Sequence, residues 1–222
     1  MKGKLVVLEG VDGSGKSTQY GLLQEKLKAA GVPFRCITFP CYDSPSSAPV
    51  RMYLEGAFGA HPADVNCYAA STLYAVDRFA SYKQDWGKWY ESGGLVLAAR
   101  YTTSNAIHQA VKLPESERAA FLAWLYDLEY EKMGLPRPDR VFFLDVPPEV
   151  SLKLLAARGT REDRPDIHEA DPAYLRACYE GALYAAEASG WTRVRCTRGE
   201  TLRPPEEISA ELFAQISGLL SL

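Results

Sequence analysis

A five-stranded parallel α/β sheet with helices on both faces is the fold class this chain predicts, and three features predict it. Apolar, β-rich runs at about 4–9, 34–39, 94–99, 140–146 and 192–196 alternate with longer helix-like segments, so the hydrophobic period switches back and forth. The first four runs lack strict polar and apolar alternation, the pattern of strands covered on both sides. The first run then flows into a loop, residues 10–17, that fills every fixed position of G-x-x-x-x-G-K-[ST].

Taken in order, the elements follow from that start. A buried strand ends at the loop, whose glycines let backbone N–H groups turn inward on a polyphosphate. The helix beginning at Lys16 presents its positive dipole end to the same anion, which together specifies the P-loop NTPase fold. Lys16 is expected to reach the outer phosphates and Ser17 to ligate Mg²⁺. Helices are predicted near 16–30, 62–91, 101–111, 115–132, 148–158, 171–189 and 205–219, with Gly31, Gly93, Gly134 and Gly190 just beyond four of their ends. The charged, breaker-rich stretch from Arg158 to Asp166 reads as a surface loop and, in a phosphate-binding α/β protein, as part of a short lid over about 158–169.

Size and composition bound the rest. The 222 residues, 47% hydrophobic, suit a single domain spanning 1–222. A net charge of −3 with no polybasic cluster argues against nucleic acid and membrane surfaces as partners. Cys36, Cys41, Cys67, Cys178 and Cys196 show no zinc-ligand spacing and are odd in number, so they read as reduced thiols of a cytoplasmic protein. No stretch approaches the roughly 18 apolar residues of a membrane span.

In open parallel sheets the ligand lies outside the carboxyl ends of the strands, so the residues just after each strand carry the function. They are the phosphate loop, then Phe39, Pro40, Cys41 and Tyr42, then the segment from Arg100 to Asn105. The long helix between contributes Tyr74 and Arg78, four apart on one face, an aromatic ring and a guanidinium suited to stacking on a base and donating to its carbonyl.

With these landmarks the sequence resembles the thymidylate kinase family over nearly its whole length. The resemblance rests on L-E-G-x-D-G-x-G-K-S-T from Leu8, F-P-x-Y from Phe39, Y-A-x-D-R from Tyr74, R-Y-x-x-S-N from Arg100, and D-x-x-E at Asp166 and Glu169. It implies transfer of the γ-phosphoryl of ATP to dTMP with Mg²⁺, and a homodimer packed through the 62–132 region. ATP would be held by Gly10, Gly13, Ser14, Gly15, Lys16, Ser17, Thr18 and Arg158. For dTMP the resemblance implies Asp12 at the 3′-hydroxyl, Phe39, Pro40 and Tyr42 beside the phosphate, Tyr74 stacked on the base and Arg78 at O4. Ser104 and Asn105 would lie by the base, His108 by the sugar and His168 beside the acceptor. Lys16, Arg100, Arg161 and Arg164 would supply the catalytic cations, the last two because the loop position that carries a basic residue in some relatives is Gly13 here.

Two departures leave alternatives open. Ala99 stands where most relatives have the acid of an Asp-Arg pair, and Cys41 where many bacterial relatives carry Arg. Glu9, Asp12, Asp166 and Glu169 then remain as carboxylates near the metal, with Asp145 as a weaker candidate. The alternatives are a kinase for another pyrimidine nucleotide or a nucleoside, and a nucleotide-binding homologue of weakened activity.

Overall fold

A computed structural model of the chain describes residues 2–157, 167–168 and 171–221. Strands β1 (Lys4–Glu9), β2 (Phe34–Thr38), β3 (Leu95–Ala99), β4 (Arg140–Asp145) and β5 (Thr192–Arg195) form one sheet in the order β2-β3-β1-β4-β5. Every neighbouring pair is parallel. The flanking helices are α1 (Lys16–Ala29), α2 (Ala48–Leu54), α3 (Cys67–Ser81), α4 (Gly87–Glu91), α5 (Thr102–His108), α6 (Glu115–Tyr126), α7 (Pro148–Ala157), α8 (Pro172–Ala188) and α9 (Pro205–Leu220).

Side chains alternate across the central strand, and each face has its own core. Val6 and Leu8 of β1 pack with Leu23 and Leu27 of α1 and Ile208, Leu212 and Ile216 of α9. Leu5 and Val7 point the other way, toward Tyr82, Trp86, Tyr90 and Tyr101. Both sets are shielded from water, which is why β1 reads as a continuous apolar run. β2 departs from the expectation of two covered faces: it is an edge strand, and Arg35, Cys36 and Thr38 are exposed.

Three segments differ from the sequence reading. The helix expected from residue 62 begins at Cys67, where the Asn66 side chain caps it by accepting from Ala69 N at 2.8 Å, and Pro62–Asp64 form a separate 3₁₀ turn. α2 was not expected. Nor was a two-stranded antiparallel hairpin, β6 (Thr197–Arg198) with β7 (Thr201–Leu202), between β5 and α9. α3 and α6 each run on into a π-helical turn, Tyr82–Trp86 and Asp127–Lys132.

Candidate active site

The phosphate loop owes its shape to glycine. Gly13 and Gly15 have φ of 79° and 80°, in the left-handed region that L side chains avoid. A Cβ on Gly13 would stand 2.4 Å from the carbonyl oxygen of Ser151 on α7, so the loop is seated directly against that helix's backbone. Gly15 is the N-cap of α1; it supplies no side-chain cap and the first turn carries no acid. The first-turn N–H groups and the dipole end are thereby left for an anion. Lys16 Nζ donates to the carbonyls of Gly10 at 2.6 Å and Val11 at 2.8 Å, while Ser17 and Thr18 are exposed.

Because β1 and β3 are neighbours in register, with Leu8 opposite Ala99, the chain leaving β3 enters the site beside the phosphate loop. Arg100 adopts φ 67°, a left-handed backbone that costs a non-glycine residue on the order of 1 kcal/mol. It is held there by its N–H on Leu8 O at 3.1 Å and by an ion pair between its Nη2 and Asp12 Oδ1. Lys16 Nζ lies 4.0 Å from the same carboxylate oxygen. Burial opposes the charge on Asp12, but Arg100 and then Lys16 outweigh it and hold its carboxyl well below the usual carboxylate range.

Glu9, expected among the metal carboxylates, is fully buried and committed elsewhere. It accepts from Tyr101 N at 3.1 Å, Thr103 Oγ1 at 2.6 Å and Ser104 Oγ at 3.0 Å, anchoring the first turn of α5 to the end of β1. That use corrects the metal assignment: an oxygen already satisfied by three donors in the interior is a structural anchor. Asp145 is similarly taken, accepting from Tyr179 Oη at 2.9 Å and Arg193 Nε at 2.8 Å.

The two histidines meet although 60 residues separate them. Their rings stack 5.8 Å apart at 13°. Arg100 Nη1 stands 3.1 Å from His108 Nε2, and since a guanidinium only donates, Nε2 is the acceptor and the proton belongs on Nδ1. Nδ1 is buried with no hydrogen-bond partner among the described residues. Burial, then Arg100, pushes His108 well below an ordinary histidine pKa, and burial brings His168 down to about 4. Tyr53 Oη lies 2.9 Å from His168 Nε2 and accepts from Lys112 Nζ at 3.0 Å; neither residue was singled out from sequence. Tyr174 packs against His168 and donates to the His108 carbonyl.

On the other side stands α3. Tyr74 is half-buried, its ring meeting Tyr53 edge-on at 6.3 Å. Arg78, one turn on, is almost fully buried and paired with Glu129. Asn105 is buried, Nδ2 donating to Ser71 O at 3.3 Å. The segment after β2 is strapped to α3 by Asp77, which accepts from Cys41 N at 2.8 Å and Ser46 Oγ at 2.6 Å. Phe39 is buried core, its ring 6.1 Å from Tyr101; Pro40 is half-buried behind a cis peptide bond, and Tyr42 is exposed.

This arrangement, a phosphate loop facing an arginine and an aromatic-lined acceptor wall, can be set beside known proteins. The thymidylate kinase family profile matches residues 8–201. The chain belongs to the thymidylate kinase family. It is 32% identical to the thymidylate kinase of Mycobacterium tuberculosis over 200 residues, 84% of this chain and 87% of that one. With the thymidylate kinase of Deinococcus radiodurans it shares 27% over 217 residues, 97% of each. Its fold matches the solved thymidylate kinase of Candida albicans with a TM-score of 0.72 at 20% identity, covering 98% of this chain and 92% of that one. Membership brings the family reaction, ATP-dependent phosphorylation of dTMP to dTDP.

Against the thymidylate kinase pattern, Asp12, Lys16, Arg100, Ser104, His108 and His168 come together in one place. Arg158, Arg161, Arg164, Asp166 and Glu169, with most of the expected lid, lie outside the described residues. A cleft of about 340 Å³ borders the phosphate loop, lined by Ser14, Thr18, Gln19, Leu202, Arg203 and Pro205 among others. Arg198, on β6, pairs with Glu207 at 2.7 Å and is largely exposed. Among the described residues no helix is long and apolar enough to cross a membrane.

Proposed function

We propose that this chain, as a single domain, carries out its family's reaction at the Asp12–Arg100 junction, where the phosphate loop meets the segment leaving β3. That ion pair is the observation that carries the reading, because it sets a cation where the transferred phosphoryl group would pass between two anionic substrates. The donor's phosphates lie over residues 10–18, held by the N–H groups of the loop and by Lys16, and its base enters the cleft beside Leu202 and Pro205. The acceptor lies along Asp12, Tyr42, Tyr74, Ser104, Asn105 and His108, with Arg78 at the base. No general base is required, since the attacking phosphate oxygen is already anionic near neutral pH. Arg161 and Arg164, on a lid over about 158–169, complete the charge neutralisation and exclude water, with Arg158 on the donor side.

Magnesium bound with the donor would supply charge neutralisation of the phosphates. The residues present fit it: Ser17 offers one exposed neutral hydroxyl next to Lys16, a donor suited to an ion that keeps most of its water and phosphate ligands. Asp166 and Glu169 remain assigned to its hydration shell. A homodimer is inferred through α3, whose residues Tyr68, Thr72 and Val76 form an exposed stripe at four-residue spacing, Tyr68 continuing onto Trp124 of α6 at 4.7 Å. The working compartment is the cytoplasm, the free cysteines being compatible with it. Purified protein given ATP, Mg²⁺ and a panel of dTMP, dUMP, dCMP and thymidine should yield diphosphate fastest from dTMP. No diphosphate from any monophosphate would end the reading.

A further inference from the structure

We propose that Glu129 is a positioning residue that aims Arg78 at the acceptor base and thereby sets discrimination at the base's 4-position. The inference rests on the reading above that Arg78 contacts the base. Glu129 lies on the π-helical turn after α6 and is wholly buried. Its carboxylate takes Arg78 side-on, accepting from Nε at 2.7 Å through Oε2 and from Nη2 at 2.5 Å through Oε1. Two parallel bonds fix the plane of the guanidinium as well as its position, and they leave Nη1 as the nitrogen the pair does not use.

Glu129 Oε2 also accepts from Thr102 Oγ1 at 2.7 Å. Thr102 opens α5, the helix that carries Ser104, Asn105 and His108. One carboxylate thus ties α3 to α5, the two helices that bring residues to the acceptor. Core stability does not account for it, because apolar residues of similar volume commonly serve a fold as well as a buried ion pair. Specificity does. A locked Nη1–H can only donate, so it favours the O4 acceptor of thymine and opposes the 4-amino donor of cytosine. A guanidinium free to swing aside would tolerate both.

The test is kcat/KM for dTMP and dCMP in wild type, Arg78→Met, Glu129→Gln and Glu129→Asp, with folding checked by thermal unfolding. The aspartate variant keeps the charge, so Arg78 is never left buried alone, while drawing its anchor back by one methylene. Both Glu129 variants should lower the dTMP to dCMP ratio by roughly tenfold or more, acting chiefly through KM for dTMP. Thr102→Val, which spares the Arg78 pair, should change the ratio less. If Arg78→Met collapses the ratio but a folded Glu129→Asp holds it within about twofold of wild type, the positioning role is wrong. If Arg78→Met itself leaves the ratio intact, the base-reading role of Arg78 fails first and the proposal with it.

Discussion

Acid should destabilise this protein well above the pH at which carboxylates titrate, and His168 sets the size of the effect. An ordinary histidine titrates near 6.5, whereas burial holds His168 at about 4. Below pH 6.5 the unfolded chain therefore binds a proton that the folded chain refuses, so stability falls as pH falls and the loss ends near the folded value. At pH 5 the unfolded histidine is about 97% protonated and His168 about 10%, a difference near 0.9 proton and a slope of about 1.2 kcal/mol per pH unit. Integrated from pH 7 to 5, the loss is about 2 kcal/mol. His108, shifted in the same direction by burial and Arg100, adds to it.

The window is clean. Asp12, held low, loses its contribution only as pH falls below about 4, and Lys112, lowered to about 8, is protonated in both states throughout. Urea unfolding at pH 7, 6 and 5 measures the slope directly. His168→Phe keeps a ring against Tyr53, His108 and Tyr174 and removes one titrating group, so its slope should drop by about 1 kcal/mol per pH unit whatever its absolute stability. A wild-type slope under about 0.5 kcal/mol per pH unit, or an unchanged slope in the variant, would refute the buried neutral stack.

Other outcomes follow from the same geometry. Lys16→Ala should lower kcat by at least on the order of 10³ in steady-state assays, far beyond any shift of the urea midpoint, because its amine is the cation nearest the donor phosphates while in the fold it meets the carbonyls of Gly10 and Val11 and the Asp12 carboxylate. Glu9→Gln should cost about 2 kcal/mol in urea unfolding, since it removes the charge that strengthens the three hydrogen bonds converging on Oε1, and it should raise KM for dTMP through the loosened start of α5. Ala99→Asp should change kcat less than tenfold in the same kinetic assay, because Arg100 is already oriented by Asp12.

β1, β3 and β4 were legible because burial on both faces leaves a continuous apolar run, a local signal that needs no partner. Strand order is not local, which is why β2 was expected to be covered and proved to be the rim. α2 escaped because Pro49 sits in its first turn and it spans only seven residues; the hairpin escaped because each strand has two. In the site, the phosphate loop and Arg100 were readable from their own sequence. Glu129 was not, since its meaning lies in a pairing across 51 residues, and Tyr53 and Lys112 gain theirs only from contact with His168. Asp77 was within reach: it lies inside the Y-A-x-D-R motif beside Arg78, and a buried acid next to a functional arginine invites the question of what it holds. Glu9 misled because an acid at a phosphate loop suggests metal, and only the adjacency of β1 and β3 shows its true partners.

Gly13 ties these observations to the division of catalytic labour. A side chain there meets the backbone oxygen of Ser151 at 2.4 Å and the Leu155 side chain at 2.9 Å, on a φ of 79° that already disfavours any L residue. The loop therefore cannot carry its own arginine unless α7 moves. Gly13→Ala should cost more than about 2 kcal/mol in urea unfolding, from backbone strain and the forced contact together, and Gly13→Arg should cost at least as much without gaining activity. With that position closed and Ala99 uncharged, Lys16 and Arg100 are the cations the described fold supplies at the junction, and two are few for a transferred phosphoryl group flanked by two polyanions. On the reading proposed above Arg164 adds to that charge, so Arg164→Ala should lower kcat by on the order of 10³. A loss below tenfold would mean the missing charge enters from elsewhere.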